Sequence, residues 1–140
     1  MIQKFYSLEI ITNGQKLYEF TDRTIEWINE NNFRNGIINL SIQHTSASLI
    51  VQENADPDVQ TDLINYFDEL APMNNKLYNH TTEGKDDMPA HIKSALTNNQ
   101  ISLSIKNSKL LLGTWQGIYL FEHRLVSQTR TVIHHFLGET

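Results

Sequence analysis

Strand-like segments in this chain occur in pairs and triples, rather than in regular alternation with helix-like segments. Runs rich in β-branched and apolar residues predict strands, and apolar residues at helical spacing predict helices. The predicted strands cover residues 4–12, 15–20, 37–43, 47–51, 101–105, 110–112, 118–123 and 129–136, and the predicted helices cover residues 21–32, 57–70 and 88–96. This order favours an α+β fold over a doubly wound parallel fold, and we expect two largely antiparallel sheets with helices packed outside.

Two short motifs mark predicted element boundaries. Asn13-Gly14 lies between the first two predicted strands, and an Asn-Gly pair in that position is a strong β-hairpin signal. Asp56-Pro57 predicts a helix start, because Asp can accept a hydrogen bond from a first-turn N–H and Pro lacks only an N–H that would be unpaired there.

Length and charge limit the possible classes of protein. A chain of 140 residues is about one domain, and we expect a single domain over residues 1–140. Eleven Lys and Arg residues against 16 Asp and Glu residues, without a basic cluster, make a nucleic-acid partner unexpected. The absence of Cys excludes a disulfide framework and a thiolate metal site. Without a long apolar segment, we expect no membrane association and a cytoplasmic location.

Residues 80–91 combine two histidines and three carboxylates around a glycine. Neighbouring carboxylates repel one another unless a cation, a proton or hydrogen bonds compensate them, so this composition predicts a metal or acid-base site. Gly84 allows a turn that brings His80 back toward His91, with Asp86 or Asp87 between them. Two imidazoles and a carboxylate suit zinc, manganese or iron, whereas aspartates alone suit magnesium. The alternative is a solvated acidic loop followed by a capped helix.

Two polar segments precede this loop. His44 is followed by Thr45 and Ser46, which offers a metal ligand or general base together with hydroxyl donors for a phosphate, although a lone His beside small polar residues is more often structural. Glu53 stands shortly before Asp56; helix capping explains Asp56 and leaves Glu53 unexplained.

The fourth polar segment is residues 113–124, whose middle reads as a core strand. In an alternating strand, Glu122 and Arg124 share one face with Leu120, so we expect a buried or partly buried ion pair between them. An Arg in that position could also bind phosphate through two hydrogen bonds. Three polar residues nearer the end of the chain, Arg130, His134 and His135, converge less with these segments. We expect the two histidines, which lie beside Phe136, on the surface or in packing.

These motifs resemble the YjbQ family of secondary thiamine-phosphate synthases. The resemblance covers nearly the whole chain from about residue 36, and it lies in the segments 44–49, 53–57, 83–93, 113–118 and 122–124. Four positions depart from the family pattern: Asn98 and Ser108 stand where Gly is usual, Ser104 stands where Pro is usual, and Gln52 stands where Asn often precedes the Glu. The first three departures put the geometry of the loops between strands in doubt, because Ser adopts the left-handed conformation less readily than Gly.

The resemblance implies a two-sheet β-sandwich that assembles as a homotrimer. It also implies an activity, which is to join hydroxymethylpyrimidine diphosphate to a thiazole phosphate with loss of pyrophosphate, as a secondary reaction. This reaction requires stabilisation of the departing pyrophosphate and positioning of the thiazole nitrogen, which a divalent metal ion (zinc, manganese or magnesium), an Arg and hydroxyl donors would supply. We expect His44, His80 and His91 as metal ligands, Glu53, Asp86 and Asp87 as acid-base or orienting groups, and Thr45, Ser46, Gln116, Glu122 and Arg124 as substrate-binding residues.

Two functional classes remain open from the sequence. The first is a metal-assisted enzyme acting on a phosphorylated small molecule. The second is a non-catalytic protein that uses the same pocket to bind a metal or an anion. A purely structural interpretation explains the carboxylates as a solvated loop, but it leaves the histidines at 44, 80 and 91 without a role.

Overall fold

The computed structural model describes residues Met1–Thr140 and contains eight β-strands, three α-helices and one 3-10 turn. The strands are β1 (Ile2–Thr12), β2 (Lys16–Glu19), β3 (Asn35–Ile42), β4 (Ala47–Glu53), β5 (Gln100–Lys106), β6 (Lys109–Leu110), β7 (Gln116–Glu122) and β8 (Gln128–Glu139). The helices are α1 (Thr21–Glu30), α2 (Pro57–Leu70) and α3 (Asp87–Leu96), and the 3-10 turn covers Asn75–Leu77. No helix combines the length and the apolar character needed to cross a membrane.

The strands form two antiparallel sheets. One has five strands in the order β1-β8-β3-β5-β6, and the other has three strands in the order β2-β7-β4. The α+β class with antiparallel sheets is therefore confirmed. Apolar side chains from both sheets and from α1 meet in one buried cluster: Leu8, Phe20, Trp27, Ile28, Phe33, Ile38, Leu40, Ile42, Ala47, Leu49, Ile105, Ile118, Leu120, Val132 and Phe136.

The predicted hairpin at Asn13-Gly14 is wrong. β1 pairs along its whole length with β8, and β2 pairs with β7 in the other sheet. Gly14 has a φ of 92°, and the Tyr18 hydroxyl accepts the Asn13 N–H at 2.7 Å and donates to the Gly14 carbonyl at 2.9 Å. The Asn-Gly pair thus forms a turn that carries the chain from one sheet to the other, because distant strands supply better partners than the adjacent segment.

Helix α2 begins as its sequence predicts. The Asp56 side chain accepts a hydrogen bond from the Asp58 N–H at 2.9 Å, and Pro57 is the first helical residue. The inner face of α2 carries Leu63, Ile64 and Phe67. These side chains pack against a second buried cluster, formed by Leu17, Tyr119 and Phe121 on the three-stranded sheet.

The turn between β5 and β6 tolerates its departure from the family pattern. Asn107 and Ser108 both adopt the left-handed conformation, with φ values of 51° and 64°. The Ser108 N–H donates to the Arg34 carbonyl at 2.9 Å, and the Asn107 N–H donates to the Asn35 side-chain oxygen at 3.1 Å. These two hydrogen bonds compensate the strain of a left-handed Ser.

Candidate functional site

Four segments that are distant in sequence meet at one end of the two sheets. They are the β3–β4 connection at residues 43–46, the loop before α3 with the first turn of that helix, the end of β7, and the start of β8. The strand register explains the meeting, because Ala47 at the start of β4 lies opposite Glu122 at the end of β7. Most of the predicted site residues belong to these four segments.

The structure brings together His80, Asp87 and His91, whose possible ligand atoms all lie within 4.8 Å of one another. Asp87 Oδ2 is 2.7 Å from His80 Nε2 and 3.1 Å from His91 Nε2. Asp87 and His91 are one helical turn apart in α3, so they project from the same face, while His80 approaches from the preceding loop. Asp87 is buried, and the two imidazoles are more accessible.

The main-chain carbonyl of Thr45 orients the His91 ring. His91 Nδ1 lies 2.8 Å from that oxygen, which can only accept a hydrogen bond, so Nδ1 carries the proton. In the neutral ring, Nε2 then presents a lone pair toward the Asp87 carboxylate. Two hydrogen-bond acceptors 3.1 Å apart repel each other, so this geometry needs a proton or a cation between them.

Arg124 holds both aspartates. Its Nε donates to Asp86 Oδ2 at 2.8 Å, its Nη1 donates to Asp87 Oδ1 at 2.9 Å, and its Nη2 donates to the Glu83 carbonyl at 3.0 Å. The prediction of an ion pair between Arg124 and Glu122 is therefore wrong, because the Arg124 guanidinium is hydrogen-bonded to Asp86 and Asp87. These hydrogen bonds to Asp86 raise the pKa of Arg124, although burial acts in the opposite direction.

The same contacts keep the aspartates ionised. Burial by itself raises the pKa of Asp87, but the hydrogen bond from His80, the positive charge that His91 has when its ring is protonated, and the charge of Arg124 outweigh it, so the pKa lies below its ordinary value. Burial also raises the pKa of Asp86, while hydrogen bonds from Arg124 and the Leu125 N–H lower it further than burial raises it. The cluster thus presents carboxylates rather than carboxylic acids.

Glu122 pairs with Arg130 instead of Arg124. Glu122 is fully buried, and its two oxygens accept Arg130 Nε and Nη2, each at 2.6 Å. The carboxylate also accepts the Arg124 N–H at 3.1 Å and the Thr12 hydroxyl at 3.2 Å. Arg130 Nη2 further donates to the Ser46 hydroxyl at 2.9 Å, so Ser46 faces this ion pair.

His44 lies beside Arg130 and outside the group formed by His80, Asp87 and His91. Its Nε2 accepts the Thr131 N–H at 3.1 Å, and its Nδ1 is 3.5 Å from Arg130 Nη1. Burial and the charge of Arg130 lower the pKa of His44. His44 and His91 nevertheless line one cavity of about 400 Å³, together with Thr45, Ser94, Ala95, Thr97 and Asn99.

Glu53 and Gln116 lie apart from the other predicted site residues. They are register partners at the far ends of β4 and β7, whereas Ala47 and Glu122 are partners at the near ends. Six residue steps along a strand separate these ends by roughly 20 Å. Gln116 accepts the Gly113 N–H at 2.7 Å, and Glu53 Oε2 is buried without a hydrogen-bond partner. Their predicted roles stay predictions.

The sequence missed two functional-site neighbours, Arg130 and His123. Arg130 was not expected to converge with the other site residues, but it is buried in the ion pair with Glu122. His123 is fully buried with its Nε2 at 2.9 Å from the Ser48 hydroxyl. The signal for Arg130 was an Arg on the inward-facing positions of a strand, which implies a buried acidic partner. His134 was expected in packing and is buried among aromatic rings.

Comparison with known proteins places this geometry among relatives. A family model described as "UPF0047 protein YjbQ-like" matches residues 6–139. The UPF0047 protein sll1880 of Synechocystis is 48% identical over 132 residues, which cover 94% of this chain and 90% of the relative. The UPF0047 protein YjbQ of Salmonella typhimurium is 44% identical over 104 residues, covering 74% of this chain and 75% of the relative.

Solved structures share the fold. The conserved hypothetical protein TT1486 from Thermus thermophilus superposes with a TM-score of 0.85 at 32% identity, over 94% of this chain and 99% of its own. A yjbq/upf0047 family protein from Clostridium acetobutylicum superposes with a TM-score of 0.83 at 31% identity, over 96% of this chain and 99% of its own. The Clostridium structure carries the same family name as the sequence relatives.

Proposed function

The chain belongs to the YjbQ-like UPF0047 family, and on this premise we propose that it is a metal-assisted enzyme acting on phosphorylated small molecules. One observation carries the proposal: His91 Nε2 and Asp87 Oδ2 face each other as acceptors at 3.1 Å, with His80 Nε2 at 2.7 Å from the same oxygen. The narrower proposal, from the resemblance, is thiamine-phosphate synthesis from hydroxymethylpyrimidine diphosphate and a thiazole phosphate.

The donor set fits a divalent cation. With metal–ligand bonds of about 2.1 Å, tetrahedral ligand atoms lie about 3.4 Å apart. The two separations from Asp87 Oδ2, 2.7 and 3.1 Å, are somewhat shorter than that spacing, and the two histidine nitrogens lie within 4.8 Å of each other, so adjustments of the side chains would bring the three atoms to it. Two imidazole nitrogens and one carboxylate oxygen favour zinc, manganese or iron over magnesium. Asp87, expected as an acid-base group, is thus proposed as the third ligand, and His44 is not part of this set.

The surrounding residues would fix the ligands before any ion arrives. The Thr45 carbonyl holds His91 in the tautomer with a free Nε2, and Arg124 holds the Asp87 carboxylate through its other oxygen. A bound divalent ion would stabilise the negative charge that develops on a departing diphosphate. Asp86 holds Arg124 and the Leu125 N–H, so it acts as a positioning residue in this proposal.

Metal content tests the cation site directly. Elemental analysis would compare untagged wild-type protein with the double variant His80→Ala, His91→Ala, after incubation with zinc or manganese and removal of free ion. We expect about one ion per chain in the wild type and none in the double variant. The matched control is His135→Ala, which removes a histidine that stacks on Phe5 away from the site. A wild type that retains no ion would mean that a proton occupies the space between His91 and Asp87.

Turnover tests the enzymatic part. The loaded wild type should convert hydroxymethylpyrimidine diphosphate and thiazole phosphate into thiamine phosphate, and His91→Ala should form no product while keeping its fold by circular dichroism. A variant with full activity would contradict the role of His91. Retained metal with no turnover on any phosphorylated substrate would favour the alternative, a non-catalytic metal- or anion-binding protein.

We also propose the assembly that the resemblance implies, a two-sheet β-sandwich in a homotrimer, and a cytoplasmic location. The shared core of the two sheets supports the sandwich. Leu125 and Val126 follow Arg124 with 45% and 58% of their surface exposed, and a subunit interface there would cover them. Sedimentation equilibrium should give about three times the chain mass of 16.2 kDa, and a monomer mass would contradict the trimer.

A further inference from the structure

One nitrogen of the Arg130 guanidinium, Nη1, has a single and comparatively long polar contact within the protein. Its Nε and Nη2 are occupied by the Glu122 carboxylate, each at 2.6 Å, and Nη2 also donates to the Ser46 carbonyl and hydroxyl at 3.2 and 2.9 Å. These contacts fix the plane of the guanidinium. The remaining nitrogen, Nη1, has one polar neighbour, which is His44 Nδ1 at 3.5 Å. Arg130 is buried, with 4% of its surface exposed.

The His44 nitrogen that faces Nη1 is itself a donor. His44 Nε2 accepts the Thr131 main-chain N–H at 3.1 Å, just beyond the point where β3 stops pairing with β8 at Ile42 and Val132. A ring nitrogen that accepts a hydrogen bond carries no proton, so the proton of His44 lies on Nδ1. Two N–H groups, one of them on a guanidinium, therefore face each other at 3.5 Å.

This arrangement is the counterpart of the one at His91. There, two acceptors face each other and call for a positive charge between them; here, two donors face each other and call for an acceptor. His44 lines the cavity of about 400 Å³, and so does His91. The residues that line this cavity include neither Asp nor Glu, and Arg130 is not one of them either: its Nη1 approaches His44 Nδ1, while the Glu122 carboxylate occupies its Nε and Nη2.

We propose that His44 Nδ1–H and Arg130 Nη1–H together bind an anionic oxygen, of the phosphoryl class, at the point where His44 borders the cavity that it shares with His91. Charge-assisted donation from a guanidinium favours an anionic oxygen over a neutral one. The role of His44 is then anion binding rather than metal ligation, and Arg130 rather than Arg124 is the anion-binding Arg. The inference rests on the proposed function only for identifying the anion as part of a phosphorylated substrate.

The test uses chelator-treated wild-type protein, so that no metal is available to bind the probe. Long-range proton–nitrogen NMR should first show His44 with its proton on Nδ1. Titration with inorganic phosphate, at constant ionic strength against chloride, should then shift the His44 Nδ1 resonance in a saturable way. The signals of His134, which is buried away from the cavity, should stay in place. A His44 signal that does not move would overturn the inference.

Two variants of His44 distinguish the loss of a hydrogen-bond donor from damage to the fold. His44→Leu removes the donor and should weaken phosphate binding at least tenfold, measured by the line width of the phosphorus signal. His44→Gln keeps one acceptor for the Thr131 N–H and one donor group, and should restore most of the binding. Equal binding by His44→Leu and wild type would refute the site. Binding that appears only after metal is added would also refute it, because the anion would then be held by the ion, while the proposed function would stand.

Discussion

Two buried histidines should make this protein less stable as the pH falls from 7.5 to 5. Burial lowers the pKa of His134 to about 4, against a small opposing effect of the Val132 carbonyl. Burial, with the charges of Lys93 and Arg130, lowers the pKa of His123 to about 3. Both rings are fully buried, and their ordinary pKa in an unfolded chain is about 6.5.

The sign follows from proton uptake. Below pH 6.5 the unfolded chain protonates both histidines, while the folded chain keeps them neutral until about pH 4 and below. The unfolded state therefore gains free energy as the pH falls. At pH 5, which is about 1.5 units below the unfolded pKa, the loss is about 2 kcal/mol for each of these two histidines, or roughly 4 kcal/mol from the pair. The lowered pKa of His44 adds a loss of the same sign. The lowered pKa values of Asp86 and Asp87 act only at lower pH.

Urea denaturation of the metal-free protein at pH 7.5 and pH 5 measures this loss. His134→Gln should lose only about 2 kcal/mol between the two pH values, since one of the two buried histidines is gone. Thr24→Val is the matched control: it removes the hydroxyl 2.8 Å from His134 Nε2 but keeps the histidine, so it should lower stability similarly at both pH values. A wild type whose unfolding free energy is the same at both pH values would refute the reasoning, as would an unchanged loss in His134→Gln.

Three further substitutions have defined outcomes. Glu122→Ala leaves the Arg130 guanidinium buried without its carboxylate and should cost about 3–5 kcal/mol in urea denaturation. Gly138→Ala should lower the melting temperature measured by circular dichroism, because a Cβ there would collide with the Asn35 carbonyl on the neighbouring strand. Arg124→Lys removes the two-nitrogen contact that holds the aspartates, and should weaken metal affinity about 10–100-fold in competition with a chelator.

The parts of the molecule that the sequence predicts correctly are those decided by near neighbours. Asp56-Pro57 predicts the start of α2 because the cap hydrogen bond spans only two residues. The proximity of His80, Asp87 and His91 could also be expected, since one turn of α3 joins the last two and a short loop brings back the first. In both cases, the physical cause lies within a dozen residues of chain.

The predictions that fail are those that name a particular partner for a strand or a charged side chain. The Asn13-Gly14 signal is local, whereas the choice of partner for β1 is decided by β8, more than a hundred residues away. Alternation along β7 correctly places Glu122 on an inward face, but it cannot say which cation lies opposite. The register of β8 places Arg130 against Glu122, whereas Arg124 forms its ion pair with Asp87 of α3. The contact between His44 and Arg130 spans 86 residues and has no local signal.

One short segment connects the two proposed binding positions. The Thr45 carbonyl accepts from His91 and so fixes the lone pair that faces Asp87, while the next residue, Ser46, accepts from Arg130 through its carbonyl and hydroxyl. His44, directly before them, supplies the donor that faces Arg130. A displacement of residues 44–46 would therefore disturb the acceptor pair and the donor pair together. The proposed cation and anion positions are coupled through the backbone of this segment, which gives a physical reason for a His-Thr-Ser run where β3 passes into β4.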